Sequence, residues 1–107
     1  MANPLFMIGD VKGDTVPIYV YADEDAVIVD GTSAHAETST NSGDSPLVYE
    51  AVALSNVRYR VGVGAEADTG DRSWGAYTEK MIVIPIGEEL SVLGGIVELQ
   101  RLRNSGE

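Results

Sequence analysis

The sequence predicts an all-β fold, an antiparallel β-sandwich or jelly roll of about seven or eight short strands. Three observations carry that expectation. Apolar and polar residues alternate with a period of two in several stretches, and turn residues punctuate those stretches at close intervals. The composition, rich in Val and Tyr beside 12 Gly, suits strands joined by tight turns.

A chain of 107 residues fits one domain, 1–107, with residues 1–15 as an N-terminal arm. Pro4 to Ile8 make a short apolar segment, and Gly9 to Asp14 a turn-rich link. Val16, Ile18, Val20 and Ala22 then alternate with Pro17, Tyr19 and Tyr21, the first strand. Pro17 lacks the N–H that a sheet ladder needs, which places this strand at an edge. Asp23-Glu24-Asp25 turns the chain into Ala26 to Val29, and Asp30-Gly31 turns it again.

Residues 32–46 are rich in Ser, Thr and Asn, side chains that compete with the backbone for hydrogen bonds, so they predict a long surface loop. Leu47 to Leu54 is a strand ending at Ser55-Asn56. Val57, Tyr59, Val61 and Val63 alternate with Arg58, Arg60 and Gly62, which puts two arginines on the open face. A second loop spans Gly64 to Ser73. Trp74 to Tyr77 follow, then the strand Lys80 to Ile86 with Ile82, Ile84 and Ile86 on one side. Leu90 to Leu93 and Ile96 to Leu102 complete the set, separated by Gly94-Gly95. A rival reading makes 88–103 a helix, acidic residues first and basic residues last. The Gly pair weighs against it, since each Gly costs about 1 kcal/mol inside a helix.

Charge narrows the function. Seventeen Asp and Glu against seven Lys and Arg give a net charge of −10. Nucleic-acid affinity draws on Lys and Arg, so no nucleic-acid partner is expected, and the same field repels anionic membranes. With no Cys, disulfides and thiolate metal sites are excluded. The first residues lack the basic start and long apolar run of a signal peptide, and the longest strongly apolar stretch, Met81 to Ile86, falls far short of a membrane span. The expectation is a soluble protein.

No constellation points to catalysis, and an enzyme is not expected. His35, the only histidine, sits in the Ser/Thr loop, where little packing is available to hold it as a general base. Glu66, Asp68 and Asp71 offer oxygen ligands of the kind calcium takes, but they lack EF-hand spacing. A solvated acidic turn is the preferred account, and neither metal nor cofactor is expected. Trp74 and Tyr77 have the area to anchor a protein contact, or else to close one end of the core.

From Leu47 to Leu102 the pieces follow a recurring plan. They are Val57-Arg58-Tyr59-Arg60-Val61-Gly62-Val63-Gly64, a polar loop from Ala65 to Ser73, Met81-Ile82-Val83-Ile84, Pro85-Ile86-Gly87, Leu90-Ser91-Val92-Leu93 and Val97-Glu98-Leu99. In this the chain resembles small structural proteins encoded among the head genes of tailed bacteriophages and prophages, over about residues 47–102. It departs from them in the loop, where acidic residues replace the usual Pro-Thr-Ala. The resemblance implies a capsid decoration (cement) protein on the exterior of a virion. Its partners would be the major capsid protein and copies of itself, for instance as trimers. The residues expected to make contacts are Leu5, Phe6, Arg58, Arg60, Trp74 and Tyr77. The alternative is a receptor- or carbohydrate-binding β module of a tail fibre or lectin-like protein. There Trp74 and Tyr77 would form a sugar platform beside calcium held by Glu66, Asp68 and Asp71.

Overall fold

The computed structural model describes residues 19–104. Among them nine strands form and no helix: β1 (Tyr19–Tyr21), β2 (Val27–Asp30), β3 (Ala36–Glu37), β4 (Leu47–Ala53), β5 (Val57–Gly62), β6 (Arg72–Trp74), β7 (Glu79–Ile84), β8 (Glu89–Leu93) and β9 (Ile96–Asn104). Leu5 and Phe6 of the expected arm lie outside the described residues.

Two antiparallel sheets pack face to face as a β-sandwich. Sheet A runs β1-β9-β4-β7, with β2 following β1 along the same side of β9; sheet B runs β3-β8-β5-β6. The pairing is nested: β5 with β6, β4 with β7, β3 with β8 and β2 with β9. Each link between β2 and β9 crosses from one sheet to the other, except the one joining β5 to β6.

The core lies between the sheets, filled by inward residues at every second position. Sheet A supplies Val29, Tyr49, Ala51, Ala53, Ile82, Ile84, Val97 and Leu99; sheet B supplies Val57, Trp74, Leu90 and Val92. Trp74 is 1% exposed, meets Tyr59 edge-to-face at 5.3 Å, and donates its indole N–H to Thr78 O at 2.7 Å. Burial of this ring with its N–H satisfied is the arrangement a core Trp requires.

Where β2 passes to β3 and β8 to β9, two antiparallel segments turn the same corner together. Gly31 donates to Gly95 O at 2.8 Å and Gly94 donates to Gly31 O at 2.9 Å. Gly94 adopts φ 110, which side-chain-bearing residues rarely tolerate. That corner replaces the rival helix over 88–103.

Two other expectations are corrected. The strand expected to reach Ile86 stops at Ile84, because Pro85 cannot extend the ladder and Gly87 turns back with φ 82; Ile86 is left 53% exposed. Trp74 ends β6, and the chain then turns into β7. The 32–46 loop contains β3 and is pinned by Asn41, which is 3% exposed. Its side-chain amide donates to Ser45 O and Ile84 O, both at 3.0 Å, and its Oδ1 accepts the Gly43 N–H. One buried amide thereby ties a polar loop to the end of β7.

Candidate contact surfaces

The two outer faces of the sandwich differ. On sheet B, Ser91 points outward yet is fully buried, because the loop through Ala65 and Ala67 folds over it. Ser91 Oγ accepts the Ala67 N–H at 2.8 Å and donates to Glu37 Oε2 at 2.8 Å. His35 Nδ1 donates to the same Oε2 at 2.6 Å, and His35 Nε2 stands 3.8 Å from Glu66 Oε1. The hydrogen bond to Glu37 raises the His35 pKa, and the Glu37 and Glu66 charges add to it, while burial opposes. For Glu37, burial pushes upward, but the hydrogen bonds from His35 and Ser91 outweigh it and the pKa is lowered. In this chain the carboxylate lies between serine and imidazole, so the imidazole has no path to the Ser91 proton. A nucleophilic triad needs the opposite order.

The same loop is closed by Asp71. Its Oδ1 accepts from Arg60 Nε at 2.9 Å and Nη2 at 2.7 Å, and its Oδ2 accepts the Asp68 N–H at 2.9 Å. The Asp68 N–H bond leads the lowering of its pKa, and Arg60 adds to it; burial opposes. Asp68 Oδ1 accepts the Gly70 N–H, and Arg58 Nη1 donates to Asp71 O. Asp68 Oδ1 and both Asp71 carboxylate oxygens thus serve loop closure, while Glu66 faces His35. Among the described residues, no group of three His, Cys, Asp or Glu is placed to hold a metal ion.

Among the described residues the outer face of sheet A is partly exposed, although Leu102 on it is buried at 2% exposure. Register aligns that face in rows: Tyr21, Leu102, Val48 and Val83; then Gln100, Glu50 and Met81; then Ile28, Glu98, Val52 and Glu79. Ile28 is 54% exposed, Met81 45% and Val83 46%. Tyr21 donates to Glu50 Oε1 at 2.5 Å, and that bond, with lesser help from burial and the Glu50 and Glu79 charges, raises the phenol pKa. A shallow groove of about 430 Å³ runs over Val52, bounded by Glu50, Glu79, Glu98 and Tyr77. Tyr77 is 76% exposed and adopts φ 58, a left-handed conformation that costs a bulky residue free energy.

The expected contact residues therefore separate. Tyr77 is at the surface beside the groove. Trp74 is a correction: its ring belongs to the core, which also removes the two-aromatic sugar platform. Arg58 and Arg60 are exposed on sheet B, where both engage Asp71 of their own chain. Met81 and Val83 were missed by the sequence reading, although a signal existed: Met81 to Ile84 is apolar at consecutive positions. A strand with one wet face alternates, so a continuous apolar run implies that both faces expect cover.

No family model matches this chain, and neither the curated proteins nor the solved structures hold a match to it. The resemblance to phage head proteins stands on the quoted residues alone.

Proposed function

We propose that this chain is a virion structural protein, a capsid decoration protein that binds the outside of the major capsid shell and stabilises it. In this reading it docks through the outer face of sheet A, in small clusters of copies such as trimers. The observation that carries the reading is the asymmetry of the two faces. Sheet B carries its own loop over Ser91 and exposes charged Arg58 and Arg60 beside it, whereas sheet A exposes neighbouring Met81 and Val83, with Ile28 at its other edge. Apolar groups clustered on a rigid surface favour a protein contact over solvent.

Two further features support it. The nested pairing of strands across two packed sheets supports a jelly-roll reading, an architecture frequent in viral shells and lectins alike. The excess of acidic residues suits a protein facing solvent outside a shell packed with DNA, since contact with the DNA itself would favour basic surfaces.

The test is to mix purified protein with expanded capsid shells carrying the related head genes, then follow co-sedimentation and shell melting, with light scattering for the free state. Saturable binding that raises the shell melting temperature is the expected result. A protein that never sediments with shells overturns the proposal.

A further inference from the structure

We propose that β7 is a docking edge. It accepts an extended segment of a partner protein as an additional antiparallel strand of sheet A, with apolar side chains over Val83 and Met81 and a lysine or arginine against Glu79 and Tyr77. The inference deepens the capsid reading, and rests on it only for the source of that segment, the major capsid protein.

An edge strand offers a row of unpaired N–H and C=O groups, and folded proteins blunt such rows. Three edges here are blunted: β3 has two residues and β6 three, while the edge made by β1 and β2 is broken at residues 22–26. Asp23, Glu24 and Asp25 fill that break, and Gln100 Nε2 bridges it by donating to Glu24 O at 3.2 Å. The fourth edge, β7, has six residues, and among the described residues no strand pairs with it on the side away from β4. Its outward side chains are Glu79, Met81 and Val83, the latter two apolar and about half exposed; its one lysine, Lys80, faces the other way over the Tyr59 ring at the β7 start, leaving the Met81–Ile84 stretch without a charge.

The chemistry of the occupant follows from register. On an antiparallel added strand, the residues facing outward lie opposite Val83, Met81 and Glu79 in that order, two positions apart. The first two meet apolar neighbours. The third meets Glu79, with Glu98 and Glu50 on the same face and the exposed Tyr77 ring beside them. A cation is complementary there, both to the carboxylates and to an aromatic face. The pattern is apolar-x-apolar-x-basic. A second copy of the chain fits less well, because each copy carries a net charge of −10.

The experiment uses the full chain and a capped peptide, Thr-Val-Thr-Val-Thr-Arg-Thr, with a control carrying Glu in place of Arg. Binding is followed by NMR titration and amide exchange. The expected result is saturable binding of the Arg peptide, weakened by salt, with slower exchange of β7 amides. Glu79→Lys is expected to weaken the Arg peptide at least tenfold and to favour the Glu peptide. Val83→Lys is expected to abolish binding of both, with the melting temperature retained because that side chain is half exposed. The inference is overturned if the Arg peptide does not bind, if Val83→Lys leaves binding unchanged, or if the free protein already dimerises through β7. Shells keep the two proposals apart. Wild type and Val83→Lys sedimenting equally with shells overturns the docking edge alone. Peptide binding without shell binding overturns the capsid reading alone.

Discussion

Gly31 packs so tightly against Val92 that a Cβ on Gly31 would lie 2.3 Å from the Val92 carbonyl oxygen. This contact marks the corner where the β2–β3 segment leaves sheet A for sheet B beside the β8–β9 segment returning from sheet B to sheet A. Gly31→Ala is expected to lower stability by about 2–3 kcal/mol, as overpacking against backbone does. Gly62→Ala is the control, since nothing lies within 4 Å of its added Cβ. Urea denaturation of the two variants should separate them clearly; equal midpoints would show that the corner relaxes without cost.

Asn41→Ala removes the amide that satisfies Ile84 O and Ser45 O. A buried acceptor left unpaired costs roughly 1–3 kcal/mol. The loss should be accompanied by faster amide exchange at Gly43 and Gly87, whose N–H groups Asn41 accepts through its side chain and its backbone.

His35 gives stability a pH dependence of definite sign. Its folded pKa is raised, so its contribution is complete below the unfolded value of about 6.5 and is lost as pH rises through the folded value. Melting temperature measured from acid to alkaline of neutrality should fall more steeply for wild type than for His35→Gln. Parallel curves would show that the Glu37 contact has no energetic role.

Tyr77→Gly is expected to stabilise the free protein by up to about 1 kcal/mol, because Gly adopts positive φ without steric cost. The same variant should bind shells less well. A protein that loses stability on this change would place the Tyr77 ring in the packing, not at a contact.

Adding calcium or a chelator should leave the melting temperature unchanged, since Asp68 and Asp71 already hold the loop through N–H groups and Arg60. A calcium-dependent rise would mean that Glu66, Asp68 and Asp71 rearrange around the ion.

Much of the architecture was legible because period-two patterning directly reports which side chains face the core. Val57, Tyr59 and Val61 read inward, and Arg58 and Arg60 outward, as the structure has them. Gly94-Gly95 correctly spoke against a helix. What escaped was long-range. The sequence does not say that Asn41 reaches Ile84, or that Ala67 covers Ser91, because neither partner is near in the chain. Trp74 misled because a large aromatic fits a core and a contact equally well, and only the position of β6 against Tyr59 decides. Met81 and Val83 escaped because an apolar run does not say which of its two faces the core takes; Ile82 and Ile84 face it, and Met81 and Val83 do not.

Nested pairing also dictates when this protein can fold. The last described strand, β9, is the one that β1, β2 and β4 all lean on. A nascent chain therefore holds most of sheet A unfinished until residues 96–104 have left the ribosome, and closure of such distant segments is slow. Removing those residues would leave three strands without their common neighbour, so a C-terminal truncation should yield an unfolded chain in place of a smaller sandwich.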